Sequence, residues 1–223
     1  MRLLALIAAG AAILNLAGGA RAQSDVPPAD SMPSKPFDFY VFTLSWSPGF
    51  CDLGGDTKSP DQCAAGANEG FVVHGLWPDN LYSANPSDCD PGATVPLAAL
   101  KLTDGLYPTE GLARYEYVKH GTCTGLSAEA YFGAVKWLRG QIVIPDILKA
   151  PRQKLTLSPN DIEQAFIAGN ENLEPNAMAV TCSHGELVDV RICVARDLKA
   201  YALCPKVSGH TCHAQSIAVQ PLR

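Results

Sequence analysis

Residues 37–46 read FDFYVFTLSW. Aromatic and β-branched side chains dominate this run, so we predict a buried strand that ends at the Ser-Pro-Gly of residues 47–49. Working outward, a second short strand is predicted at residues 71–76, FVVHGL, and the Pro-Asp-Asn of residues 78–80 closes it. These two strands form the first part of the predicted sheet.

A β-hairpin is predicted further along the chain. Residues 177–182 and 187–195 are strand-like, and His184-Gly185 supplies the turn between them. The second strand carries aliphatic residues at alternate positions, which are expected to share one face. These residues are Val188, Val190, Ile192 and Val194.

Three helices are expected from their terminal residues. They cover residues 110–120, 127–140 and 158–168, and the last two begin with a serine suited to N-capping. Gly121 is placed to end the first helix. Residues 85–108 contain four prolines and two glycines and are predicted to be mostly loop. The pattern predicts a single α+β domain in which a central antiparallel sheet is flanked by helices.

The composition is that of a folded, acidic protein. The chain has 223 residues, 47% of them apolar, and a formal net charge of −5. This is enough apolar material for one domain with a substantial core, which excludes disorder as the overall state. Lys and Arg are scattered, which excludes a basic nucleic-acid tail or a polybasic membrane patch. An anionic substrate must therefore be held by local groups.

Residues 1–22 differ from the rest and resemble a secretory signal peptide. Arg2 gives a positive start, an apolar run follows, and Ala-Arg-Ala at residues 20–22 is a small-x-small cleavage signal. The alternative is a membrane anchor, but the apolar run is shorter than the roughly 20 residues that span a bilayer and is interrupted by glycines. We therefore expect no membrane association after cleavage.

Export defines the expected mature protein. Proline-rich residues 23–36 favour an extended leader, and residues 37–223 form the predicted domain. Loss of Arg2 and Arg21 with the signal peptide would leave a net charge of −7. The expected location is the periplasm or the medium, and a monomer is expected for a chain of this size.

The eight cysteines of the predicted domain indicate disulfide bonds. An exported protein meets an oxidising compartment, so four disulfides are the default expectation. The alternative is a metal site at His210, Cys212 and His213, but no C-x-x-C pair accompanies it. The cysteines are Cys51, Cys63, Cys89, Cys123, Cys182, Cys193, Cys204 and Cys212.

Two histidines lie in segments rich in reactive groups. His74 ends an apolar strand, where a structural histidine is also common. In the second segment a helix would bring Glu116, Lys119 and His120 onto one face, at positions i, i+3 and i+4. The alternative for this segment is an ordinary solvated charge pair with a histidine at a helix C-terminus.

Together these segments resemble the two active-site signatures of the ribonuclease T2 family, H-G-L-W-P and, more loosely, E-W-x-K-H-G-T-C. The first is intact at residues 74–78. The second is intact at residues 119–123, with Glu116 in place and Tyr117 where tryptophan is usual. Residues 44–51, LSWSPGFC, are similar to the family's first core strand and first cysteine. The details look most like the branch of the family found in the bacterial periplasm.

The resemblance implies an endoribonuclease that needs no metal or other cofactor. RNA carries its own nucleophile, so the enzyme must supply a base, an acid and a cation for the phosphate. The implied roles are His120 as base, His74 as acid, Lys119 as the cation, and Glu116 as an orienting or polarising group. Which histidine plays which role stays open. The product would be a 2′,3′-cyclic phosphate, which water opens more slowly to a 3′-phosphate.

The expected substrate is single-stranded RNA rather than DNA, with low base specificity. An acidic protein gains little from counterion release and should prefer flexible single strands to duplexes. Trp77 offers a face for base stacking and Asp79 an acceptor for an exocyclic amine, although packing and turn formation are the alternatives for these two. Tyr115 stands where the family often has a further histidine, so phosphate binding is expected to be weaker there or shared with Arg114.

The resemblance also implies a disulfide pairing, since eight cysteines alone allow 105 connectivities. The implied pairs are Cys51–Cys63, Cys89–Cys123, Cys182–Cys212 and Cys193–Cys204. Two other classes of function compete with the nuclease. One is a protein of this fold that acts by binding, inhibition or toxicity without cleavage, and the other is a metal-binding or hydrolytic protein that uses the C-terminal histidines.

Overall fold

A computed structural model describes residues 35–223. The predicted signal peptide at residues 1–22 and nearly all of the predicted leader at residues 23–36 lie outside this range. Of the helices within residues 35–223, none is long and apolar enough to cross a membrane.

A six-stranded sheet forms the centre of the fold, in the order β2-β1-β5-β6-β3, with β4 paired to β5. Its strands are β1 (Phe39–Trp46), β2 (Phe71–Asp79), β3 (Leu155–Leu157), β4 (Met178–Ser183), β5 (Glu186–Ala195) and β6 (Ile217–Val219). All pairings are antiparallel except that of β5 with β6, which meet in parallel at Glu186 and Ala218. The sheet is therefore mixed rather than purely antiparallel, within a single α+β domain.

Eight α-helices accompany the sheet in the part of the chain that the structure describes. They are α1 (Ser47–Asp52), α2 (Pro60–Cys63), α3 (Leu97–Leu100), α4 (Glu110–Lys119), α5 (Ala128–Gln141), α6 (Asp146–Lys149), α7 (Pro159–Gly169) and α8 (Pro205–Ser208). The three helices expected from the sequence are confirmed as α4, α5 and α7. Ser127 accepts a hydrogen bond from Ala130 N, and Ser158 forms a capping box with Asp161.

The ends of two strands differ in detail from the expectation. Strand β1 ends at Trp46, as predicted, but residues 47–49 form the start of α1 rather than a turn. Pro48 suits this position because proline is favoured in the first turn of a helix. Strand β2 continues past the predicted stop to Asp79, since β1 pairs with it along its whole length. Pro78 is tolerated there because β2 is an edge strand. On its open side there is no neighbouring strand that would need a hydrogen bond from the missing N–H.

The predicted alternation on β5 was wrong at one position. The pairing with β4 shifts between Thr181 and Cys182, which leaves Val188 as an extra residue. The bulge moves the core-facing register by one, so Leu187 is buried in the core and Val188 is only partly buried. The remaining predicted residues, Val190, Ile192 and Val194, do lie in the core.

Strand β1 is buried on both faces, which explains its nearly continuous apolar sequence. One face packs into the main core with the helices, through residues such as Phe42, Leu44 and Trp46. The other face supplies Phe39 and Val41 to a smaller cluster.

Candidate active site

His74 occupies a bulge in β2. The pairing of β1 with β2 shifts between Thr43 and Leu44, which leaves His74 as the extra residue. Bulges re-aim side chains and are common beside active sites. Here the imidazole lies beside Ser45, with 3.1 Å between Nδ1 and the serine Oγ.

The sheet face opposite the main core carries the polar residues of the site. Directly paired residues of neighbouring strands share a face, so Ser45 lies beside Asp189 of β5, and Thr43 beside Arg191. Trp77 of β2 joins the same face through its pairing with β1. Three strands thus contribute to one cluster.

Asp189 is a member of this cluster that the sequence analysis missed. It is only 4% exposed, accepts a 2.6 Å hydrogen bond from the Ser45 hydroxyl, and lies 3.2 Å from the guanidinium of Arg191. Its Oδ1 is 3.8 Å from His74 Nδ1. A lone acid inside the apolar strand sequence LVDVRICV is the signal that could have found it, because buried acids need partners.

Helix α4 supplies the second half of the site. Thr109 caps its start by accepting from Leu112 N. Glu116 is 2% exposed and points at the strands, with its Oε1 at 3.6 Å from His74 Nε2. His120 caps the end of the helix. Helix α4 and its C-cap therefore bring Glu116 and His120 to the site, as the i and i+4 spacing predicts.

Trp77 packs against both histidines. Its ring centroid is 5.3 Å from that of His74 and 5.4 Å from that of His120. Its Nε1 donates a 2.6 Å hydrogen bond to Glu116 Oε2. The guanidinium carbon of Arg191 lies 5.6 Å from the indole centroid, a cation–π distance. The indole thus contacts both histidines as well as Glu116 and Arg191.

Gly75 is the residue that lets Trp77 reach Glu116. A Cβ at this position would overlap both Trp77 Nε1 and Glu116 Oε2. The glycine of the H-G-L-W-P segment is therefore required by close packing around one hydrogen bond.

The two histidines have pKa values shifted in opposite directions. Burial, the largest effect, lowers the pKa of His74, but its interaction with Asp189 and the charges of Glu116 and Asp189 outweigh burial and raise that pKa. Burial and the charge of Lys119 lower the pKa of His120 to about 4. His120 is therefore neutral at mild pH, while His74 holds a proton more readily.

The carboxyl groups of Glu116 and Asp189 also have pKa values shifted in opposite directions. Burial raises the pKa of Glu116, although His74 and the Trp77 hydrogen bond oppose this. Burial also acts to raise the pKa of Asp189, but its interaction with His74, its hydrogen bond with Ser45 and the nearby positive charges hold that pKa below the usual value. Asp189 is thus the firmly ionised acid of the pair.

Residues 37–204, well over half of the chain, match the family model of the ribonuclease T2 family. The chain belongs to the ribonuclease T2 family. It is an endoribonuclease of this type.

Named relatives agree with that assignment. Ribonuclease DdI of Dictyostelium discoideum is 30% identical over 93% of this chain and 95% of its own length. Ribonuclease I of Escherichia coli is 30% identical over 72% of this chain and 76% of its own length. A probable ribonuclease of Haemophilus influenzae is 38% identical, but the chain spans only 47% of that relative's length.

Solved structures of this family share the fold. The RNase-related protein from Calystegia sepium superposes with a TM-score of 0.65 at 20% identity, and the match covers 85% of this chain and 100% of that one. The mixed sheet with helices is therefore the T2 architecture.

The four residues predicted to bind substrate have different surroundings in this ribonuclease. Trp77 is half-buried and contributes to the site as described above. Asp79 is buried, and its oxygens accept from Asn80 N and from the Asn85 side chain, which favours the turn alternative. Arg114 donates to Val95 O and lies 3.8 Å from Glu110.

Tyr115 is the fourth of these residues and is exposed. Its hydroxyl accepts a 2.7 Å hydrogen bond from Lys119 Nζ. The same bond raises the pKa of Lys119, which keeps the ammonium charged. Tyr115 therefore helps to hold the side chain of Lys119 in place.

The structure pairs the cysteines as the resemblance implies, in the bonds Cys51–Cys63, Cys89–Cys123, Cys182–Cys212 and Cys193–Cys204. Cys89–Cys123 ties the proline-rich loop to the end of α4, where Asp88 N also donates to Lys119 O at 2.7 Å. The Cys212 sulfur is used in a disulfide, so the alternative metal site loses its thiolate ligand.

A cleft of about 400 Å³ opens beside His74. Its lining is largely apolar, with Ser59 and Gln62 among its polar residues. A larger cleft of about 510 Å³ lies elsewhere and is lined by none of the residues of the candidate site. The cleft beside His74 therefore adjoins the candidate site through His74 and Ser45.

Proposed function

We propose that the protein is a metal-independent endoribonuclease that cleaves single-stranded RNA by transphosphorylation. The opposite pKa shifts of His74 and His120, whose rings both pack against Trp77, carry the proposal. Pairs of titratable groups whose pKa values are pushed apart mark acid and base roles. His120 is the neutral partner and so the base, and His74 is the protonated partner and so the acid.

In the first step, His120 takes the proton of the ribose 2′-hydroxyl. The 2′-oxygen attacks phosphorus, and Lys119 stabilises the negative charge that develops on the phosphoryl oxygens. The bond from phosphorus to the 5′-oxygen breaks, and His74 gives its proton to that oxygen. The products are a 2′,3′-cyclic phosphate and a free 5′-hydroxyl.

The slower second step runs with the roles exchanged. His74, now neutral, takes a proton from water, and the water oxygen attacks phosphorus. The bond from phosphorus to the 2′-oxygen breaks and His120 protonates that oxygen, which yields a 3′-phosphate. Each histidine thereby returns to its starting state.

Glu116 supports the acid His74. Its carboxylate is held by the Trp77 hydrogen bond at 2.6 Å, and its other oxygen lies 3.6 Å from His74 Nε2. A negative charge at this distance favours the protonated imidazole. The two histidines, the lysine and the glutamate together supply base, acid and charge stabilisation without a metal.

The substrate class follows from the same chemistry. Cleavage needs a 2′-hydroxyl, so DNA is not a substrate. Low base specificity is expected because Asp79, the acceptor proposed to read an exocyclic amine, already has protein partners. A related structure, RNase NT with a TM-score of 0.62, was solved with 5′-AMP, which supports nucleotide binding on this fold.

Export and a monomeric state belong to the same proposal. Four disulfides suit an oxidising compartment, and one relative is named as an extracellular ribonuclease, that of Solanum lycopersicum. We infer cleavage after residue 22 and a location in the periplasm or the medium. The mass of the mature protein from culture fractions, and light scattering on a sizing column, test both points.

The decisive experiment is cleavage of a short single-stranded RNA in EDTA, with the product ends resolved. Wild type is expected to form a 2′,3′-cyclic phosphate, and His120→Ala to lose this activity. His213→Ala removes an exposed histidine and serves as the matched control. If folded, oxidised wild type fails to cleave, the protein acts by binding or inhibition instead.

A further inference from the structure

A chain of two hydrogen bonds leads from the interior of the sheet to His74. The Ser45 hydroxyl has one proton, which it donates to Asp189 Oδ1 at 2.6 Å. Its lone pair is then left to accept from His74 Nδ1 at 3.1 Å. The direction of the chain is thereby determined, with a proton on His74 Nδ1.

The strand register builds this chain. Ser45 and Asp189 are directly paired across β1 and β5, and the bulge in β2 brings His74 beside Ser45. Asp189 is further held by Arg191 at 3.2 Å and by the Thr181 hydroxyl at 3.4 Å. Burial of a carboxylate costs free energy even when hydrogen bonds and an opposite charge hold it. A role beyond packing is therefore expected of Asp189.

We propose that Asp189 is a positioning residue of the ribonuclease, which acts through the Ser45 hydroxyl to fix the orientation and tautomer of His74. The inference rests on the acid role assigned to His74 above. With Nδ1 held by Ser45, Nε2 is the atom that faces Glu116 and the substrate. Nε2 is therefore the atom that delivers the proton to the leaving 5′-oxygen.

The charges that face His74 come from two elements. Asp189 and Arg191 lie on β5, Glu116 lies on α4, and His120 is the C-cap of α4. The two acids favour imidazolium, whereas Arg191 and a protonated His120 oppose it. Loss of the Asp189 charge is expected to lower the pKa of His74 by about one unit, as for a partner charge at 4–6 Å.

The test compares Asp189→Asn with wild type in two measurements. The first is kcat/KM for a dinucleotide as a function of pH, and the second is ¹⁵N NMR of the histidine rings, which reports pKa and tautomer without substrate. Asp104→Asn removes the same charge from an exposed position and is the matched control.

In Asp189→Asn, only the high-pH limb of the kcat/KM profile is expected to move. The high-pH limb of the profile moves down by about one unit, so kcat/KM falls about tenfold above the His74 pKa and changes little below it. The low-pH limb stays in place because it belongs to His120. In the NMR spectra, Asp189→Asn lowers the pKa of His74, and Ser45→Ala abolishes its fixed Nδ1–H tautomer.

The outcomes separate this proposal from the proposed function. Wild-type cleavage together with an unmoved high-pH limb and unmoved His74 resonances in Asp189→Asn would overturn the positioning role. Absence of RNA cleavage by wild type, with the NMR changes present, would overturn the nuclease mechanism and support the hydrogen-bond chain. If Asp189→Asn does not fold, Ser45→Ala decides by the same spectra.

Discussion

The indole Nε1 of Trp77 lies 2.6 Å from Oε2 of Glu116, and this hydrogen bond joins β2 to α4 at the centre of the site. Trp77 therefore holds a buried carboxylate in place while its ring packs against both histidines.

Trp77→Phe tests the hydrogen bond directly. Phenylalanine keeps an aromatic ring at this position but cannot donate a hydrogen bond to Glu116, so the buried carboxylate oxygen loses its partner. The free energy of unfolding is expected to fall by about 1–3 kcal/mol. We also expect kcat/KM to fall about tenfold, which corresponds to a loss of about 1.4 kcal/mol in transition-state stabilisation. Denaturant titration and dinucleotide kinetics measure the two effects, and unchanged kinetics would assign Trp77 to packing alone.

Gly75→Ala tests the close packing around the same bond. The added methyl group overlaps Trp77 and Glu116, and overpacking of this kind costs about 1–3 kcal/mol. Gly140→Ala is the matched control, because a Cβ at that helical position meets no atom within 4 Å. The control is expected to be neutral or to gain up to about 1 kcal/mol from helix propensity. Equal thermal stability of the two variants would contradict the packing argument.

The pH dependence of kcat/KM is expected to be bell-shaped. Activity rises with pH as His120 loses its proton, with a pKa of about 4. Activity falls again as pH rises through the pKa of His74, which lies above its usual value, because the acid must be protonated. A steady-state profile on a dinucleotide measures both limbs. A low-pH limb above the ordinary histidine value of about 6.5 would exchange or refute the assigned roles.

Removal of the Cys89–Cys123 disulfide is expected to affect activity before it unfolds the sheet. The bond holds the end of α4, so its loss by double substitution to serine displaces His120. A misplacement of about 1 Å can cost up to 10²-fold in rate. The matched control is Cys182–Cys212, since the two bonds have sequence separations of 34 and 30 and close loops of similar entropy. A lowered melting temperature with full activity would show that the first bond is only structural.

Arg114→Ala and Tyr115→Phe separate the two candidates for phosphate binding. Tyr115→Phe frees the ammonium of Lys119, and kcat/KM is expected to fall about 2- to 10-fold, the equivalent of one hydrogen bond. Arg114→Ala removes a bond to the Val95 carbonyl and should lower stability by about 0.5–1.5 kcal/mol with little effect on kcat/KM. The opposite order of kinetic effects would make Arg114 the phosphate ligand.

Local features of this protein could be predicted from its sequence. The aromatic run at residues 37–46 predicts a central strand, and the capping serines predict α5 and α7, because backbone propensity and capping act over a few residues. The spacing of Glu116 and His120 likewise places both on one side of α4, since it depends only on the helical period.

Tertiary structure decided which of these groups meet and how they titrate. The bulge at His74, the pairing of Ser45 with Asp189 and the turn contacts of Asp79 arise from pairing between distant segments, which no local pattern encodes. The opposite pKa shifts of the two histidines depend on burial and on charges brought from other elements. The sequence alone thus determined the chemical groups and their local spacing, whereas long-range register and desolvation determined which became acid, base and support.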